Sequence, residues 1–192
     1  IACLLLPDYL KDHPKRIVRQ VYGKYSISPK YEIKGTELTV EQRAFFVDRV
    51  IKMLNAYQEI EIFAITAYKQ NVQEHIQADS NKLYNYMLRL SLLDRIKREK
   101  DVTLIPDPRT IKVKSGNSMI DYLQTELWFT EEAPTVVRIN QIPSDRSLNL
   151  KFIDFISNII WSAEENKNRH FALKLQEKAR NIHVKYLFYP KI

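Results

Sequence analysis

Apolar positions recur along the chain in two rhythms. Short runs rich in β-branched and aromatic residues mark strands, and stretches with apolar residues three and four apart mark helices. Ile1 to Leu6 is unbroken apolar sequence stopped by Pro7, which predicts a buried strand. Asp12-His13-Pro14 opens a helix carrying Ile17, Val18 and Val21, with Gly23 as its stop. Tyr31 to Lys34 alternates and predicts an edge strand or extended loop before Gly35. Thr39, with Glu41 and Gln42 in the first turn, starts a helix over about 40–57 whose inner face is Phe45, Phe46, Val50, Met53, Leu54 and Tyr57. Ile60 to Tyr68 reads as a strand, 79–98 as a helix, and Val102 to Ile105 as a strand stopped by Pro106. Ser118 to Phe129 is helical and Val136 to Ile142 extended. Leu148 to Ala163 is a helix apolar on more than one side. Asn166 to Ala179 is a further helix, and Ile182 to Tyr189 a last strand or tail.

Alternating short strands and longer helices argue for an α/β fold with parallel crossovers. No low-complexity linker or repeat divides the chain, so one domain over 1–192 is expected, with 166–192 as a basic C-terminal extension. The aromatic positions Trp128 and Trp161 are most simply core. Hydrophobic residues at 45% and charged residues at 28% fit a soluble globular protein with a core large enough to need no staple. The single cysteine, Cys3, excludes a disulfide framework and a cysteine-rich zinc site, and 3 glycines exclude repetitive glycine-rich phosphate loops. No run approaches the length of a membrane span, so no membrane partner is expected. A lone free thiol suits a reducing compartment, and a cytoplasmic location is expected.

Charge adds a second layer. The chain carries a net +7. From Lys167 onward, Lys167, Arg169, Lys174, Lys178, Arg180, Lys185 and Lys191 face only Glu177, so the surplus is concentrated at the C-terminal end. Phe171, Leu173 and Leu175 interrupt that segment and require a packing surface, which predicts a docked basic helix. Such a helix either contacts the phosphates of RNA or DNA or serves as a solubilising face.

Two carboxylates stand out. Asp107 follows the strand Val102–Ile105, where ligands of open α/β sheets bind, although a turn-capping role between two prolines explains it equally. Asp154 interrupts the apolar string Phe152-Ile153-Asp154-Phe155-Ile156 and needs solvent, a cation or a metal. Lys151, one helical turn earlier, is its natural ion-pair partner. Carboxylates at a strand end and on a facing helix are also the geometry that shares Mg2+ or Mn2+ for phosphodiester hydrolysis. Glu32 and Lys34 add charge to one face of the extended segment. Asp145 belongs to the entry turn of the apolar helix. The four histidines form no ligand pair and accompany no nucleophile motif.

These residues, in this order, resemble the prokaryotic RNase H-like domains catalogued as domain-of-unknown-function family 3800. Ile1 to Pro7 resembles the family's second strand and Glu32-Ile33-Lys34-Gly35 its Glu-Lys segment. Leu104 to Arg109 resembles its aspartate-ended strand, and Leu150-Lys151-Phe152-Ile153-Asp154 its late helix motif. The first family strand, with its Asp-Glu-Ser-Gly motif, has no counterpart. Lys151 and Ile153 replace the usual Gln and Ala, and Ser144-Asp145 reverses the usual order. The resemblance implies an RNase H-like mixed sheet flanked by helices. It also implies a divalent-metal-dependent phosphodiesterase acting on nucleic acid, its acidic site incomplete in this chain. Asp107 and Asp154 would be the ligands, Glu32 a further catalytic carboxylate, and Lys34, Lys167, Arg169, Lys174, Lys178 and Arg180 the backbone contacts. The alternative is a non-catalytic nucleic-acid-binding or protein-interaction module on the same scaffold, in which Lys151 neutralises Asp154.

Overall fold

The computed structural model describes residues 1–77, 80–107 and 116–189. The chain runs β1 (Ala2–Leu5), α1 (Asp12–Lys24), α2 (Val40–Ala56), β2 (Glu61–Ala67), α3 (Glu74–Gln77), α4 (Ser80–Ile96), β3 (Asp101–Leu104), α5 (Gly116–Thr125), β4 (Val136–Ile139), α6 (Leu148–Glu165), α7 (His170–Lys178) and β5 (Ile182–Leu187). The fold is mixed α/β. Its residues group into two compact units, Ala2–Thr66 with Ser144–Lys185, and Ile1 and Ala67–Pro143 with Tyr186–Ile192. The first of these is called the larger unit below, the second the smaller.

The larger unit holds the sheet in the order β1-β2-β5. β1 pairs antiparallel with β2, Ala2 opposite Ala64 and Leu5 opposite Glu61, so the parallel crossover expected here is not formed. β5 runs parallel to β2: the Ile62 N–H donates to the Asn181 carbonyl at 2.9 Å and the Tyr68 N–H to the Leu187 carbonyl at 3.0 Å. Alternation then puts Ala2, Leu4, Ile62, Ala64, Ile182 and Val184 on one side, in the core that α1, α2, α6 and α7 also supply. Phe46 of α2 meets Phe152 and Phe155 of α6 with ring centroids 5.3 Å apart, all three fully buried. Burial of each such ring stabilises the unit by about 1.5–3 kcal/mol. α2 begins at a capping box: Thr39 Oγ1 accepts from the Gln42 N–H at 3.3 Å, and the Thr39 N–H donates to Gln42 Oε1 at 2.9 Å.

Local bonds explain where the structure leaves the sequence pattern. Of the two readings of Tyr31 to Lys34, the extended loop is the one formed. The Tyr22 hydroxyl donates to the Tyr31 carbonyl at 3.0 Å and accepts from the Ile33 N–H at 3.3 Å, so a side chain meets backbone needs that a ladder would otherwise serve. The segment then enters a short 3-10 turn, Gly35–Glu37. α1 continues through Gly23 to Lys24. α7 starts at His170 rather than near 166, because Lys167 adopts a left-handed φ of 55° that breaks the helix. Trp161 is 48% exposed, on the side of α6 opposite its buried Phe152, Phe155 and Ile159. Trp128 is 51% exposed within a π-helical turn, Glu126–Thr130, so neither tryptophan is core.

In the smaller unit β3 and β4 pair in parallel, Asp101 opposite Val136 and Leu104 opposite Ile139. The Gln124 side chain of α5 takes up one outer edge of β4, donating to the Thr135 carbonyl at 2.7 Å and accepting from the Val137 N–H at 2.8 Å. Within the described residues no helix is long and apolar enough to cross a membrane.

Gly35 is set hard against α6. A Cβ at this position would lie 2.6 Å from Asn158 Cβ and 2.9 Å from the Asp154 carbonyl oxygen, and both are held by the helix. Gly35→Ala is therefore expected to destabilise the fold by about 1–3 kcal/mol through overpacking, read as a lower midpoint in urea unfolding with unchanged slope. An unchanged midpoint would show that the turn is free to move off the helix.

Cys3 lies half-buried on β1, and desolvation pushes its thiol up from 9.0 to about 11. The neutral thiol is thus the folded form at ordinary pH. A thiol raised in the folded state contributes its stability below pH 9.0 and loses it as the pH climbs toward about 11. Alkylation by iodoacetamide at pH 8 should be slow in the folded protein and fast in urea; equal rates would contradict the burial.

Candidate nucleic-acid interface

The three candidate carboxylates occupy different settings. Asp154, exposed on α6, accepts the Gly35 N–H on Oδ2 at 2.8 Å. One turn along, Asn158 Oδ1 accepts from Arg43 at 3.3 Å, and the same guanidinium reaches the Gly35 carbonyl at 3.4 Å. Asp154 is thus the anchor of a turn packed on a helix. Lys151 does not neutralise it: Lys151 is buried, its ammonium 5.6 Å from the centre of the Tyr22 ring. Glu32, half-buried in the same unit, accepts from the Ser144 hydroxyl at 2.9 Å. Asp107 belongs to the smaller unit, whereas Asp154 and Glu32 belong to the larger. Pro108 and Arg109, which complete the aspartate-ended motif, lie outside the described residues.

This arrangement overturns the expected Mg2+ or Mn2+ site. Among the described residues no group of three or more His, Cys, Asp or Glu side chains is placed to hold a metal ion. Hard cations need several oxygen ligands converging on one point. Here Asp154 faces a backbone amide and Glu32 a hydroxyl.

The basic residues, in contrast, converge. α7 is laid beside α2 by two ties: Lys174 pairs with Asp48 at 2.7 Å, and the Asn55 amide donates to the Lys178 carbonyl at 2.9 Å. Asp48, Lys52 and Asn55 share one face of α2, and Phe45, Arg49 and Lys52 the adjoining face. Lys52 therefore stands between the α7 border and the row of Phe45 and Arg49. At the other side of that row α1 ends with Lys24, whose ammonium lies 4.2 Å from the centre of the Phe45 ring. The Arg49 guanidinium carbon is 5.1 Å from the same centre. The result is a basic ridge crossing α1, α2 and α7 within the larger unit.

Of the positions read from sequence as nucleic-acid contacts, Lys167, Arg169, Lys178 and Arg180 are exposed and make no ion pair among the described residues. Lys174 is half-buried and already neutralised by Asp48. Lys34 is exposed at the head of the 3-10 turn that packs on α6, and its N–H donates to Glu37 Oε2 at 2.7 Å. Sequence reasoning missed Lys24, Arg49 and Lys52. They are scattered through helices of mixed charge, and the sole available signal was the spacing of Phe45, Arg49 and Lys52 on one helical face.

Comparison of the chain with protein-family models, with curated proteins and with solved structures returns no match.

Proposed function

We propose that this chain is a nucleic-acid-binding module that works by association and not by phosphodiester cleavage. The observation that carries the reading is the ridge of Lys24, Arg49, Lys52, Lys178 and Arg180 with Lys167 and Arg169 beside α7, none of which has an ion-pair partner among the described residues. Unneutralised cations gathered on one surface repel one another, and a polyanion relieves that repulsion while releasing its own counterions. Of the carboxylates of the same unit, Asp154 is engaged in packing the turn at Gly35 and Asp48 in bridging helices, which supports binding over catalysis. The RNase H-like identity of the scaffold is part of the same proposal and rests on the order of the sequence motifs.

The test is fluorescence anisotropy with labelled RNA and DNA across a salt series. The logarithm of affinity should fall against the logarithm of salt concentration with a slope of roughly −3 to −6, for about four to seven phosphates neutralised. Lys178→Gln and Arg180→Gln should each weaken binding for every sequence tried and flatten the slope by about 1. Lys174→Gln should do less, because Asp48 already neutralises that ammonium. No binding at low salt, or cleavage of the strand on adding Mg2+, would overturn the proposal.

A further inference from the structure

Lys24, Phe45 and Arg49 form a unit of their own within the ridge. Two cations converge on one aromatic ring, the ammonium 4.2 Å and the guanidinium carbon 5.1 Å from its centre. Tyr25 meets Phe45 edge-on at 6.1 Å, and its hydroxyl donates to the Glu41 carbonyl at 2.9 Å, which fixes the ring from behind. The neighbouring carboxylate is turned away, since Glu41 Oε2 accepts from the Thr39 hydroxyl at 2.9 Å. Neither Lys24 nor Arg49 has an ion pair among the described residues. Cation–π attraction thus holds two like charges together where no protein anion separates them.

We propose that Lys24 and Arg49 grip a single backbone phosphate of the bound strand, with Phe45 as the positioning residue, and that the grip is indifferent to base sequence. The inference rests on the nucleic-acid reading above and names the chemistry that this part of the surface recognises. With charges 4.2 Å and 5.1 Å from one ring centre the two groups lie within about 9 Å of each other, the span that a phosphate accepting from both at charge-assisted distances has to bridge. Sequence indifference follows from what is already engaged. The Phe45 ring carries a cation over it and is not open for a base to stack on. The Asn55 amide, which could read a base edge, donates to the Lys178 carbonyl. The ammonium and guanidinium groups that remain on the ridge, when they hold phosphate, position a backbone and do not read bases.

A double-mutant cycle on the full chain tests this, with labelled single strands of about 20 nucleotides, longer than one binding site. Lys24→Gln and Arg49→Gln should each weaken binding by about 3–10-fold. If both hold the same phosphate, the double variant should be weaker by clearly less than the product of the two losses. Phe45→Leu keeps every charge; it should weaken binding several-fold and render the two cations independent. Affinities for oligo-dT, oligo-dA and mixed sequences should agree within about 3-fold at equal salt. Melting curves identify any variant that loses the fold, and the charge cycle stands without the Phe45 variant. If the wild type binds but the two losses multiply, the shared grip is wrong and the nucleic-acid reading survives. If the wild type prefers one sequence tenfold, the sequence indifference is wrong. If the wild type binds nothing at low salt, the reading beneath both is wrong.

Discussion

The contact between Gly35 and α6 is the constraint from which most of the larger unit follows. A turn without a side chain approaches the helix so closely that a methyl group would overlap Asn158 Cβ. That approach brings the Gly35 N–H within 2.8 Å of the Asp154 carboxylate and its carbonyl within 3.4 Å of the Arg43 guanidinium. Arg43 then ties α2 to α6 through Asn158. Phe46 packs against both Phe152 and Phe155, and this contact together with the Arg43–Asn158 bond runs the two helices in opposite directions. The lone carboxylate on an apolar helix, which looks like a ligand in the sequence, is what holds the turn in place.

The same accounting of carboxylates is what the proposed binding role draws on. A metal-dependent phosphodiesterase needs acids that converge and have no other task. In the larger unit Asp154 holds a turn, Glu37 caps the Lys34 N–H, Glu32 takes the Ser144 hydroxyl and Asp48 bridges α2 to α7. Phosphate binding makes no such demand. It requires only that cations outnumber local anions on one face, and the placement of α7 beside α2 provides that.

The fold class and most element positions were legible in the sequence because helical and strand periodicities report directly on burial. Thr39 and Gln42 marked the start of α2 as their chemistry dictates. Three features were not legible. Antiparallel pairing of β1 with β2 depends on partners sixty residues apart, roughly, and adjacent-in-chain reasoning favours crossovers. Alternation alone leaves the Tyr31–Lys34 segment open between strand and loop, and Tyr22 decides it by satisfying its backbone from α1. Asp154 and Lys151 are correctly spaced for an ion pair, but the helix turns one outward to Gly35 and the other inward to Tyr22. Periodicity gives the face of a residue; only the packed neighbours give its partner.

The basic character of the C-terminal segment was visible as a count, and the structure turns it into a surface by a specific route. Asp48 is the only carboxylate interposed between α2 and α7 among the described ion pairs, and it neutralises the half-buried Lys174. Charge at the helix border is thereby cancelled where burial would penalise it. The cations left unpaired are the exposed ones: Lys52 on α2, Lys178 at the end of α7 and Arg180 just past it. Elsewhere in the unit Asp8 and Asp12 are paired with Lys11 and Lys15, one turn away on the far side of α1 from Lys24 along the chain. Asp8, Asp12 and Asp48 thus act locally and within the protein, while Lys52, Lys178 and Arg180 stay exposed. On the proposed reading, this cluster of unpaired cations is where the field of the unit would draw a polyanion.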